Sequence, residues 1–147
     1  MDKKEVKQLL VSKLLGRVSS LRSEMNDIVG DASAQAKSSA GDKHETANAM
    51  ANLERERLAG QLDTCQRMLF QAEKLPEATS YVVSAGALVQ TNYGYFYISE
   101  AFGKLTYDGE TIMAISASSP LVQMASGKAV GDTFKMGPVT HTIKAVS

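Results

Sequence analysis

Apolar residues recur at steps of three and four positions through two long stretches of this chain. Such steps place the side chains in one narrow stripe along a helix, which is typical of a coiled-coil seam. Each helix would have roughly 30 to 35 residues and a length of about 45–50 Å. The first stripe contains Val6, Leu10, Leu14, Val18, Leu21, Met25, Ile28 and Ala32, and the second contains Ala47, Met50, Leu58, Leu62, Cys65, Leu69 and Ala72.

The two stripes are separated by small and polar residues from 33 to 41, where the chain must turn. Two helices joined by a short turn lie antiparallel, so residues 1–77 are predicted to form a coiled-coil hairpin with its tip at about 38–46. The hairpin ends near Leu75-Pro76, because proline ends a helix and disfavours helix at the residue before it. Charge changes at the same place, with 24 charged residues among 1–77 and only 8 among 78–147.

Residues 78–147 are rich in aromatic residues and glycine and predict a small antiparallel β domain. Short apolar runs at 88–92, 95–98, 104–107, 111–115, 132–136 and 139–146 are separated by residues that favour turns. Ser119-Pro120 predicts the start of one short helix, with serine as the cap and proline at the first helical position. Gly127 predicts its end. The fold class is therefore α+β, with a long helical hairpin followed by a β domain.

Composition excludes several functional classes. The 147 residues carry sixteen basic and sixteen acidic side chains, so a protein that coats nucleic acid by charge is not expected, nor is sequence-specific DNA binding. One cysteine rules out a disulfide framework and a cysteine-based zinc site. No run of eighteen apolar residues predicts a membrane span, and Lys13 and Arg17 interrupt the N-terminal apolar stretch, so a cytoplasmic protein is expected.

The sequence contains no self-contained active site. It has no phosphate-binding glycine loop, no paired histidines at metal spacing and no nucleophile elbow. Tyr93, Tyr95 and Tyr97 alternate along one strand and could stack bases, but packing is favoured because no basic residues lie between them. His141 and Cys65 are both expected to be packed, the first in the last strand and the second in the coiled-coil seam.

Two carboxylates stand out at the start of the second helix. Asp42 and Glu45 are three residues apart, so both project from one side of the first helical turn. Local physics favours a capping role, because Asp42 is a good N-cap and Glu45 completes a variant of the capping box. The alternative is a divalent cation site. Two carboxylates are too few for a complete magnesium site, so another macromolecule would have to supply the remaining ligands.

A hairpin with Gly-Asp-x-x-Glu at its tip resembles the bacterial Gre transcript-cleavage factors. Their tip motif is close to Gly-Asp-Leu-x-Glu-Asn-Ala, which is matched by Gly41, Asp42, Glu45 and Ala47. They also carry a segment similar to Ile115-Ser116-Ala117-Ser118-Ser119-Pro120-Leu121, followed at the same spacing by Gly127-Lys128 and Asp132. The resemblance covers nearly the whole chain and is weakest from 79 to 113.

The resemblance implies a fold, a partner and a mechanism. The C-terminal domain would be FKBP-like and would dock at the rim of the RNA polymerase secondary channel through Ser119, Pro120, Leu121, Gly127 and Lys128. The hairpin would bring Asp42 and Glu45 to the catalytic centre, where they would share a Mg²⁺ ion with the polymerase and act on the nascent RNA 3′ end. The polymerase would remain the enzyme, and this chain would hold no cofactor stably.

Departures from the family motif leave two alternatives open. Lys43 stands where the family usually has leucine, and Thr46 where it has asparagine. A regulator that occupies the channel without stimulating cleavage is therefore one alternative, and a structural coiled-coil adaptor is another. Prolyl isomerase activity is not expected, because the FKBP pocket typically has a tryptophan floor and this chain has no tryptophan.

Overall fold

The structure is a computed structural model that describes the backbone of residues 1–38 and 42–147 and the side chains of 1–28 and 45–147. Two long helices open the chain, α1 (Lys3–Ser38) and α2 (Asp42–Glu73), of 36 and 32 residues. At 1.5 Å per residue they extend about 54 and 48 Å. Among the described residues, no helix is long and apolar enough to cross a membrane.

Residues 13–69 form one of two compact units and contain most of the helix pair. Leu14 and Cys65 face each other, with the cysteine Sγ 3.7 Å from the leucine carbonyl oxygen. Further along α1, Met25 shares a surface depression with Asn52 and Ala59 of α2. Because higher numbers on α1 meet lower numbers on α2, the two helices are antiparallel, as the sequence predicted.

The predicted seam is buried through most of this unit but is wrong at one position. Leu14, Val18, Leu21, Leu58 and Cys65 are all buried. Met50, which was expected in the second stripe, is 63% exposed. The buried residues Leu58 and Cys65 of α2 are seven positions apart, which is one heptad. The same step from Leu58 towards the N-terminus reaches residue 51 rather than Met50. Ala32 lies outside the residues whose side chains are described.

Residues 1–12 and 70–147 form the second compact unit. The start of α1 is hydrogen-bonded to the segment that follows α2. Lys7 Nζ donates to the Leu75 carbonyl at 2.8 Å, and Lys3 Nζ donates to the Ala78 carbonyl. Burial lowers the pKa of Lys3, whose side chain has no acidic hydrogen-bond partner in these contacts. The first turns of α1 therefore belong with the β-rich part of the chain, and the domain division at 77/78 stays a prediction.

Six strands build one mixed sheet in the order β3-β4-β2-β1-β6-β5. Their bounds are β1 (Leu88–Thr91), β2 (Gly94–Ser99), β3 (Gly103–Tyr107), β4 (Glu110–Ser116), β5 (Thr133–Met136) and β6 (Val139–Val146). The α+β class, the strands and the short helix are as predicted, but the sheet is not antiparallel throughout, because β2 and β4 pair in parallel. The turn at Phe102-Gly103 carries the chain to the sheet edge, so β3 pairs with β4 and not with β2.

One face of the sheet packs against the short helix α3 (Pro120–Ala125). Val122 and Ala125 from α3 enter a buried core, and Leu121 packs at its margin. The other buried members of this core are Val83, Ala87, Val89, Ile98, Phe134 and Ile143. The helix is thus held to the sheet by its apolar side, and its Ser119–Pro120 end is placed by that packing.

Candidate functional site

The acidic pair lies in the first turn of α2. Asp42 is the first residue of that helix, and Glu45 follows one turn later with an exposed side chain. Helical positions three residues apart share a side of the helix, so the two backbone positions lie within one turn of each other. The Asp42 side chain and residues 39–41 lie outside the described part of the chain. The capping bond and the metal-ligand role of the pair therefore stay predictions.

The described side chains include no complete set of metal ligands. Among the residues whose side chains are described, no three histidine, cysteine, aspartate or glutamate side chains come close enough together to hold a metal ion. An acidic pair that supplies only part of a coordination sphere suits magnesium, which keeps several waters and binds few protein carboxylates.

The second motif forms a capped helix start. Ser119 has extended backbone dihedrals, and its side-chain oxygen accepts a hydrogen bond from the Val122 backbone N–H at 3.4 Å. Pro120 occupies the first helical position, where its missing N–H leaves no hydrogen bond unmade. Just before the cap, the Ser116 and Ser118 hydroxyls are 2.8 Å apart. The Ser-x-Ser-Ser-Pro segment is thus a hydrogen-bonded turn that leads into α3.

The segment after α3 is held by backbone hydrogen bonds. Gly127 has φ +77°, a left-handed value that favours glycine, and its N–H donates to the Val83 carbonyl at 2.9 Å. The Val83 N–H in turn donates to the Lys128 carbonyl at 2.8 Å. Asp132 closes the turn that follows, because its Oδ2 accepts from the Ala129 N–H at 2.8 Å. The Gly-Lys and Asp positions of the motif therefore have clear structural roles in this turn.

The structure brings the predicted docking residues into one continuous segment around α3, although their exposures differ. Pro120 and Gly127 are exposed, whereas Ser119, Leu121 and Lys128 are half-buried. Leu121 packs against the core, so its first role is structural. Met124, which the sequence pattern predicts on the apolar side of this helix, is 51% exposed, so the prediction is wrong at this position. Its step of two residues from the buried Val122 turns it away from the core.

The three alternating tyrosines Tyr93, Tyr95 and Tyr97 lie in different environments. Tyr97 is fully buried, and burial raises the pKa of its phenol to about 12. Tyr95 is half-buried, and Tyr93 is 58% exposed. His141 is buried as expected, stacked on Phe134 at a ring distance of 4.8 Å and tilted against Tyr93 at 4.7 Å. Packing thus accounts for Tyr97 and His141, in agreement with the interpretation favoured from the sequence.

No protein-family model matches the sequence, and no curated protein matches it. The solved structures that match over most of both chains include two with a TM-score of 0.40, the crystal structure of GreA factor homolog 1 (Gfh1) of Thermus thermophilus and a structure of the transcription factor Gfh1. Identity is 17% and 19%, with 93% and 94% of this chain and 94% and 93% of the other chain covered.

Proposed function

We propose that this protein binds RNA polymerase in its secondary channel and stimulates cleavage of backtracked RNA. The observation that carries the proposal is that both sequence motifs occupy the elements that such a role requires. Asp42 and Glu45 lie in the first turn of the second arm of a long helix pair. The Ser119-Pro120 motif starts a helix on a separate β sheet.

The chemistry of the two carboxylates determines which role this chain has and which role the polymerase has. Asp42 and Glu45 cannot hold magnesium alone, because the ion needs six oxygen ligands, so the polymerase active centre has to complete the site. A magnesium ion bound there would activate the attacking water, while the ion already held by the polymerase would stabilise the leaving oxygen. The polymerase is then the enzyme, and this chain donates ligands. The partner also places the protein in the cytoplasm of a bacterial cell.

A second candidate function is occupation of the channel without cleavage. Lys43 places a positive side chain between the two acids in the sequence, and Thr46 replaces the asparagine of the family motif. A positive charge so close in the sequence would weaken the attraction of the two carboxylates for magnesium. A regulator of this kind would bind polymerase and alter RNA synthesis without shortening the RNA. An adaptor that binds a helical partner would do neither.

Neutral substitutions at the tip test the proposal. Asparagine caps a helix about as well as aspartate, and glutamine replaces glutamate in a capping box, so Asp42→Asn and Glu45→Gln keep the fold. Magnesium prefers charged carboxylate oxygens, so either change should abolish RNA shortening in a backtracked polymerase complex while binding to polymerase persists. Matched controls are Asp63→Asn and Glu56→Gln, which remove the same charges from exposed positions further along α2.

The RNA length separates the candidate functions. Cleavage stimulation by the parent chain and both controls, lost in both tip variants, supports the proposal. Polymerase binding without shortened RNA from the parent chain points to the channel-occupying regulator. Unchanged cleavage by the double variant Asp42→Asn with Glu45→Gln would show that the pair donates nothing to the metal. Failure of the parent chain to bind polymerase would favour the adaptor.

A further inference from the structure

An open groove lies between α1 and α2 within the unit formed by residues 13–69. Its volume is about 580 Å³, and its apolar lining comes from Leu21, Cys65 and Met68. Volumes of about 300–1,000 Å³ are typical of sites for small molecules. Cys65 is only 3% exposed and lies at the floor, whereas the neighbouring positions are open to solvent. The groove therefore has the size of a small-molecule site with an apolar base.

Gly60 opens one wall of this groove. It lies within α2, where glycine is less favourable than other residues because of its backbone freedom. A Cβ atom at this position would have no neighbouring atom within 4 Å, so packing does not require the glycine. With no side chain at Gly60, a flat group can approach the helix backbone closely.

Two guanidinium groups line the groove, and one of them is paired with a carboxylate. Arg17 comes from α1 and Arg57 from α2, and none of the described residues that line the groove is acidic. Arg57 donates from Nε to Glu54 at 3.0 Å and from Nη2 to the same carboxylate, which engages two of its five N–H donors. Burial raises the pKa of the Cys65 thiol, and the charge of Arg17 opposes that shift, so this charge acts at the groove floor.

Neutral polar groups complete the lining. Gln61 offers an amide donor and an amide acceptor from an exposed position one residue after the glycine. The Thr64 hydroxyl donates to the Gly60 carbonyl at 3.1 Å and keeps its oxygen available as an acceptor. Donors, acceptors, an apolar floor and two cations thus face one space.

We propose that this groove binds a nucleoside phosphate. Arginine matches phosphate oxygens in a bidentate geometry, so Arg17 and Arg57 hold the phosphates. The base lies along the backbone at Gly60 against Leu21 and Met68, and Gln61 hydrogen-bonds its edge. Inorganic phosphate, or the carboxylates of an acidic peptide, would meet the arginines and leave the apolar lining uncovered. A nucleotide uses both the charged and the apolar parts.

Calorimetric titration of the full chain with ATP, in the absence of divalent metal, tests the ligand class. Adenosine and tripolyphosphate serve as the two partial probes. ATP is expected to bind at least tenfold more tightly than either, because only ATP fills both parts of the groove. Tripolyphosphate binding as tight as ATP would reduce the site to charge alone and overturn the proposal. Absence of ATP binding at millimolar concentration, or tighter binding of an acidic peptide, would also overturn it.

Two pairs of variants locate the binding. Gly60→Leu fills the groove, and Gly16→Leu is its control, because Gly16 also has nothing within 4 Å of a Cβ and does not line the groove. Gln61→Glu places a negative charge in the groove, and Gln66→Glu makes the same change at an exposed position outside it. The groove variants should weaken ATP binding at least tenfold, and the controls less than twofold.

The variants Gln61→Glu and Gln66→Glu keep the test decisive if Gly60→Leu disturbs the helix pair, because glutamine and glutamate have similar helix propensity and volume. Circular dichroism melting of each variant checks the fold. Equal effects of Gln61→Glu and Gln66→Glu would place the ligand elsewhere and contradict the assignment. No polymerase is present in these titrations, so their outcome leaves the proposed function untouched.

Discussion

Gly86 lies directly against the ring of Pro76, so that a Cβ atom added to the glycine would be 2.6 Å from both Cγ and Cδ of the proline. The glycine also has φ +85°, a backbone conformation that residues other than glycine rarely adopt. Its N–H donates to the Ile98 carbonyl at 2.7 Å, which fixes the backbone against β2. The residue that ends the helical part of the chain is thus packed against the turn that enters the sheet.

Gly86→Ala should destabilise the β-rich unit through two additive effects. The left-handed backbone conformation costs an alanine about 1–2 kcal/mol, and crowding against Pro76 adds about 1–3 kcal/mol, as overpacking does. Gly131→Ala is the matched control, because Gly131 has a similar φ of +92° and an added Cβ would meet nothing within 4 Å. All five tyrosines lie between 81 and 107, so urea unfolding followed by tyrosine fluorescence reports this unit. Equal losses in the two variants would contradict the contact.

Removal of the α3 cap should weaken the unit by a smaller amount. Ser119→Ala deletes the oxygen that accepts from the Val122 N–H, at an expected cost of about 1 kcal/mol. Ser119→Asn retains a capping oxygen and should stay within a few tenths of a kcal/mol of the parent. The same urea titration measures both. If Ser119→Asn and Ser119→Ala unfold at the same midpoint, the serine does not act as a cap.

Ionisation of Tyr107 should depend on Glu5. A hydrogen bond to the Glu5 carboxylate, followed by desolvation and the negative charge of Glu5, raises the pKa of Tyr107 to about 12. The neutral phenol is therefore favoured in the folded state, and the stabilisation is complete below pH 10 and is lost as the pH rises through 12. Glu5→Ala should return the ionisation of Tyr107 towards pH 10.

Absorbance at 295 nm measures this ionisation, and the difference between the parent and Tyr107→Phe isolates the one phenol. Tyr97 is the internal control, because burial is the main cause that raises its pKa to about 12 and Glu5→Ala should leave that cause in place. Circular dichroism at each pH verifies that the chain is folded. An unchanged titration of Tyr107 in the Glu5→Ala background would exclude the proposed contact.

Much of the fold could be predicted from local patterns. The three-and-four spacing around Leu14, Leu58 and Cys65 identified the helices and their buried seam, and Ser119-Pro120 identified the start of α3. Strand pairing was harder, because the alternation of residues along β2 and β4 is the same for parallel and antiparallel neighbours. The antiparallel sheet was expected because short turns normally join neighbouring strands.

The candidate sites differ in how far sequence could specify them. The acidic pair depends on helical spacing alone, so Asp42 and Glu45 could be placed together from their numbers. The groove could not, because Arg17 and Arg57 are forty residues apart in the sequence and only the pairing of α1 with α2 brings them to one space. A glycine within a helical stretch was not a sufficient signal for it, because Gly16 of α1 shares that feature with Gly60 and does not line the groove.

Hairpin length should determine cleavage stimulation if the tip acts at a buried catalytic centre. Deletion of residues 22–28 and 51–57 removes one heptad from each arm, keeps the seam in register and shortens each arm by about 10 Å. The shortened chain should bind polymerase and fail to stimulate RNA shortening, because Asp42 and Glu45 no longer arrive at the metal. The control restores the length by repeating 15–21 in the first gap and 58–64 in the second, and it should recover cleavage. RNA length in a backtracked complex is the measurement, and full cleavage by the shortened chain would rule out delivery of the carboxylates through a channel.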